Sequence, residues 1–111
     1  MPEQFSRLKQ CVLVMGNKTL LAVDTSITAM TSNNTATASE VRNVEKLVDS
    51  MYHSINEQCL ELLASKQRSR GEVNYVVNSL KIAMELERIC DYANQIAKLV
   101  QKSSPNRMFK F

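Results

Sequence analysis

Apolar residues recur along this chain at intervals of three and four, the spacing that aligns side chains on one face of an α-helix. The first stripe runs through Phe5, Leu8, Val12, Met15, Val23, Ile27 and Met30, with only Thr19 out of character. Pro2 suits the first helical position, where its missing N–H leaves no bond unmade. Gly16-Asn17 is a place to break, but the stripe keeps its phase across it, so one long helix is expected. Thr31-Ser32-Asn33-Asn34 then reads as a loop, and Thr37 with Glu40 as a T-x-x-E capping box opening the second helix. That helix carries Val41, Val44, Val48, Met51, Ile55 and Leu62, with Cys59 filling the gap, and Lys66-Gln67-Arg68 ends it.

Ser69 and Glu72 form a second capping box, S-x-x-E. The third helix has one stripe through Val73, Val76, Leu80, Ala83, Cys90 and Ala97. Beside it lies another: Tyr75, Ile82, Leu86, Ile89, Ala93, Ile96 and Val100. Two stripes predict cover on two sides, from the bundle and from a further partner. Ser103-Ser104-Pro105 ends the helix, and the tail to Phe111 shows no periodicity. Short loops make consecutive helices antiparallel neighbours. The expected fold is all-α, an up-down-up three-helix bundle over residues 1–104 with a C-terminal tail over 105–111.

Composition narrows the class. The 111 residues are enough for one domain with one modest core. Two Gly and two Pro leave little material for turns, which agrees with few, long elements. A net charge of +3 is too small to argue for nucleic acid. The basic cluster Lys66, Arg68, Arg70 sits at a helix tip without aromatic neighbours and reads as a solvated turn. No apolar run approaches the roughly 20 residues of a membrane span, and the N-terminus lacks the basic-then-apolar pattern of a secretory signal. Three widely spaced cysteines, Cys11, Cys59 and Cys90, with no CxxC, read as reduced thiols of a cytoplasmic protein.

The candidate chemistry lies in two E-x-x-x-D pairs, Glu45/Asp49 and Glu87/Asp91. Residues four apart stand one above the other on a helix. If the second and third helices form a hairpin turning at Arg68, facing residues are equidistant from it. Glu45 and Asp91 each lie 23 residues away, Asp49 and Glu87 each 19. All four acids should then share one level of the bundle. Converging carboxylates repel, so they either splay into solvent or collect a cation. Oxygen ligands suit hard or borderline ions such as Mg²⁺, Mn²⁺ or iron. The plain alternative is an exposed helical face whose acids pair weakly with Arg42, Lys46 and Arg88.

His53, one turn beyond Asp49, either extends such a site or is simply an exposed histidine. Cys59 and Cys90 read as core thiols, and the six Met mostly as core filler. No Ser-His-Asp order, Gly-rich phosphate loop or HExxH occurs, so an enzyme is not expected.

The segment from Glu57 to Lys98 resembles the PhoU family of phosphate-signalling regulators. The residues that carry this are Cys59-Leu60, Leu62-Leu63-Ala64, Leu80-Lys81-Ile82, Leu86-Glu87-Arg88-Ile89, Asp91-Tyr92-Ala93 and Ile96-Ala97. The family signature is similar to L-K-I-x-x-x-L-E-R-I-G-D-x-A-x-N-I-A. Fainter similarity covers Glu45 to Ile55. The resemblance implies that Glu45 and Asp49 fall on the first metal motif of a PhoU repeat, and Glu87 and Asp91 on the second. It leaves iron, manganese, magnesium and zinc open as the ion. Cys90 stands where the family usually has Gly, a bulkier side chain expected to crowd the site. Lys66-Gln67-Arg68-Ser69-Arg70-Gly71 replaces the family's Gln-Pro turn. Family members usually hold two tandem repeats, whereas this chain holds a single PhoU repeat.

The resemblance therefore implies a non-enzymatic negative regulator of phosphate uptake and the phosphate starvation response. It implies a protein peripheral to the membrane at most, with the phosphate transporter ATPase and a sensor histidine kinase as partners. A homodimer or a second PhoU repeat is expected against the third helix. The alternatives are a helical assembly or scaffold module without metal, and the regulatory domain of a sodium/phosphate cotransporter.

Overall fold

The computed structural model describes residues 3–103, so Pro2 and the tail over 105–111 lie outside the described residues. Three helices follow one another: α1 (Glu3–Ser32), α2 (Thr35–Ser65) and α3 (Arg70–Ser103). Each packs on both others, in a rod of 58 × 18 × 17 Å. This is the expected three-helix bundle, and α1 runs unbroken through Gly16 and Asn17.

The first turn is tighter than the sequence predicts. Asn33 takes φ 52°, a left-handed conformation that asparagine tolerates better than most residues. The Asn34 N–H then reaches back to the Ala29 carbonyl at 3.0 Å, closing α1. The same Asn34 caps α2, its Oδ1 accepting from the N–H groups of Ala36 and Thr37 at 3.0 and 3.1 Å. Asn34 is thus the N-cap, and the expected Thr37/Glu40 box lies inside the helix. The second box forms as expected. The Ser69 Oγ accepts from the Glu72 N–H at 3.1 Å, and Glu72 accepts from the Ser69 N–H at 3.0 Å. That backbone donor, more than any other contact, holds the Glu72 carboxyl below its ordinary pKa.

Arg68 corrects the expectation of a solvated turn. Its side chain is only 3% exposed. Its Nε donates to the Leu62 carbonyl at 2.8 Å, closing the end of α2. Its guanidinium lies 5.3 Å from the centre of the Phe5 ring, and that ring meets Tyr75 edge-on at 5.6 Å. One arginine therefore joins the start of α1 to the α2–α3 turn.

The core confirms the stripes of α2, where Val41, Val48, Ile55, Cys59 and Leu62 are buried. In α1 the buried face keeps its three-and-four spacing past Met15, and the larger apolar residues of the expected stripe drift off it. Thr19, Ala22, Ser26 and Ala29 are buried, while Ile27 is exposed and Val23 and Met30 are only half-buried. Small residues at these positions meet Ala38 on α2 and Ala93 and Ala97 on α3 in one core. Close helix approach excludes the larger side chains there. The second stripe of α3 also divides: Ala93 and Val100 are core, Tyr75, Leu86 and Ile96 are half-buried, and only Ile82 and Ile89 are exposed. Of the methionines, Met15 is core, Met30 and Met51 are half-buried, and Met84 is exposed.

Candidate carboxylate site

The groove between α2 and α3 is set by the hairpin register. The Cys59 thiol reaches the Val76 carbonyl at 3.7 Å, fixing the strand of contacts nearest the turn. At the far end Gln101 Nε2 donates to Ser39 Oγ at 2.9 Å. Between these two links the hairpin carries Glu45 and Asp49 on α2, and Glu87 and Asp91 on α3. Glu45 and Glu87 are half-buried, and Asp49 and Asp91 are exposed.

The other three acids act on Glu87. The Glu87 carboxyl is pushed up to about 7, first by its partial burial, then by Asp49 beside it and by the charges of Asp91 and Glu45. Carboxylates crowded in this way favour the protonated form of one of them. Cys90 reports the same field from the core side. Its thiol is pushed up to about 11, first by burial and then by Glu45, Asp91 and Glu87. Cys90 is fully buried, so it floors the site from within and does not crowd it from outside. Cys59 is likewise raised by burial, so neither thiol is set up as a thiolate nucleophile. All three cysteines are free.

Neutralising cations are scarce at the site. Among the described residues, Arg88 pairs with Glu85 at 3.6 Å and not with the four acids. Asp49 has His53 Nε2 at 3.7 Å, across one helical turn on an exposed face, where the imidazole also meets Tyr52 edge-on at 5.7 Å. The donor set, four oxygen-bearing side chains with little countercharge, suits a hard cation. Among the described residues, however, no group of three or more His, Cys, Asp or Glu side chains is arranged to hold one ion. Sequence inspection did not single out Asn94, one turn beyond Cys90. Its Oδ1 is buried without a hydrogen-bond partner, a state visible only once the helices are packed.

The described residues thus form an all-α three-helix bundle with an acidic pair on each of two neighbouring helices. A family model for the PhoU domain matches residues 12–100, and the chain belongs to that family. It is 27% identical over 95 residues to a phosphate-specific transport system accessory protein PhoU homolog of Pseudomonas putida, covering 86% of this chain and 37% of that protein. A homolog of the same description from Borreliella burgdorferi is 30% identical over 94 residues, covering 84% of this chain and 39% of the relative. The phosphate-specific transport system accessory protein PhoU of Escherichia coli is 28% identical over 95 residues, covering 86% and 39%. The chain thus spans well under half the length of these relatives. No solved structure gives a significant match. No helix among the described residues is long and apolar enough to cross a membrane.

Proposed function

We propose that this chain is a non-enzymatic regulatory domain of a phosphate-specific transport system, and that Glu45, Asp49, Glu87 and Asp91 bind a metal ion. The relatives' names supply the transport system; the mutual repulsion of the four carboxylates, felt at Glu87, supports the ion. Small rotamer changes of Glu45 and Glu87, both only half-buried, would bring their oxygens to a shared cation. A bound ion would supply the positive charge that the site lacks and remove the need for a proton on Glu87. It would also tie α2 to α3 across the groove. The domain would act from the cytoplasm as a negative regulator of phosphate uptake, against the transporter ATPase and a sensor histidine kinase. Iron, manganese, magnesium and zinc remain the candidate ions.

An assembly module without metal is the alternative. Metal analysis of the purified protein separates the two. Stoichiometric metal is expected in the unmodified chain, and its loss in the Asp49→Ala, Asp91→Ala double variant, with helical circular dichroism intact. Both aspartates are exposed, so folding should survive their truncation. Unchanged metal content in the double variant would exclude this site.

A further inference from the structure

We infer that Asn94 is a further ligand of the ion proposed at the carboxylate groove, lending its amide oxygen Oδ1 alongside the four carboxylates. The inference rests on that metal-binding reading and adds a residue to it. It starts from an oxygen with no partner: the Oδ1 of Asn94 is buried and accepts no hydrogen bond. Buried polar atoms in folded proteins are paired with few exceptions, because an unmade bond leaves the lost hydration uncompensated.

The position of Asn94 ties that oxygen to the groove. It stands three residues beyond Asp91 and seven beyond Glu87 on α3, so all three share one face of the helix. The two links that bracket the groove, Cys59 with Val76 and Ser39 with Gln101, set Asn94 opposite residues 41–46 of α2. Over that stretch Arg42, Asn43 and Lys46 are exposed, Val41 and Val44 are apolar, and Glu45 is the half-buried polar residue. An ionised carboxylate accepts hydrogen bonds and donates none, so Glu45 offers nothing to the Asn94 Oδ1. Two kinds of acceptor therefore occupy one level of the groove, and both lack a positive centre. A hard cation takes carboxylate and amide oxygens together. The amide oxygen carries no net charge, so it adds a ligand without adding to the crowding of negative charge.

Titration of the metal-stripped full chain with Mn²⁺, read by electron paramagnetic resonance of the free ion, tests this. The unmodified chain should bind Mn²⁺. Asn94→Leu, close in size but without the oxygen, should weaken binding by about tenfold or more. Its metal-free urea midpoint should hold or rise, since it removes an unpaired acceptor. Asn94→Asp keeps an oxygen and cannot donate, so it should bind at least as tightly as the unmodified chain. Asn94→Ala repeats the test should leucine unfold the helices, as judged by circular dichroism. A lower metal-free midpoint with unchanged Mn²⁺ affinity in Asn94→Leu overturns the inference, because the asparagine would then be structural only. Equal losses in Asn94→Asp and Asn94→Leu also overturn it, by making the amide a donor to Glu45. Binding abolished by the Asp49→Ala, Asp91→Ala pair but kept in Asn94→Leu removes Asn94 alone and leaves the carboxylate site. Absence of binding in the unmodified chain overturns that site and this inference with it.

Discussion

Glu87 on α3 and Asp49 on α2 stand equally far from Arg68 along the chain, and across the groove the Asp49 carboxylate helps to hold the Glu87 carboxyl above its ordinary range. Crowded carboxylates of this kind favour a proton on one of them. The cation proposed above would relieve the same crowding.

The protonated form has a pH signature. The folded-state pKa of Glu87, about 7, lies above its ordinary 4.5. The folded chain then holds a proton that the unfolded chain has released between those values. Stability from this group falls as pH rises through that window, with no penalty below it and the full penalty above. In metal-free protein the urea midpoint should drop between pH 5 and pH 8 on account of Glu87. Glu87→Gln should flatten this dependence and raise the midpoint at pH 8. An identical pH slope in the variant would place the proton elsewhere.

Arg68 should be the most sensitive polar residue of the turn. It is almost wholly buried and bonds the Leu62 carbonyl and the Ser65 hydroxyl, with Phe5 under its guanidinium. A hydrogen bond from a charged group contributes about 1.5–3 kcal/mol, and a cation over an aromatic ring about 0.5–1 kcal/mol. Arg68→Ala should lower stability by roughly 2–3 kcal/mol in urea unfolding. Arg68→Lys, keeping the charge without the planar fork, should fall between. A loss under about 0.5 kcal/mol, the range of ordinary surface changes, would show that the turn holds without it.

Gly16 should be replaceable at a profit in stability. It sits in the interior of α1, and an added Cβ would meet only Leu86 Cδ1, at 3.8 Å, an ordinary van der Waals distance. Glycine in a helix interior is less favourable than alanine by about 0.8–1 kcal/mol. Gly16→Ala should raise the melting temperature by a few degrees in a calorimetric scan. A lower melting temperature would mean that α1 needs the freedom of glycine there.

How much was legible in advance divides along physical lines. On α2 the three-and-four spacing spelled out the core face, Val41, Val48, Ile55 and Leu62, because Leu47, Leu60 and Leu63 fall off that stripe and stay exposed. The Ser69/Glu72 box was readable because both its bonds are local. The convergence of the four acids followed from the hairpin register alone, since antiparallel neighbours with a short turn leave little freedom.

What only the tertiary structure decided are choices between neighbours of similar local merit. Along α1, a stripe through Val23 and Ile27 and one through Ala22 and Ser26 are both helical faces. Close packing on Ala38, Ala93 and Ala97 selects the small one and turns Leu13, Leu20 and Ile27 outward. Asn34 and Thr37 are both competent caps, and the left-handed Asn33 selects the first. Arg68 looks like any turn cation until Phe5 arrives beneath it from α1. Periodicity and local bonds are properties of a segment, so sequence determines them. Which face is buried, and which charge loses its water, depends on what the other two helices bring, and that is settled only when all three pack.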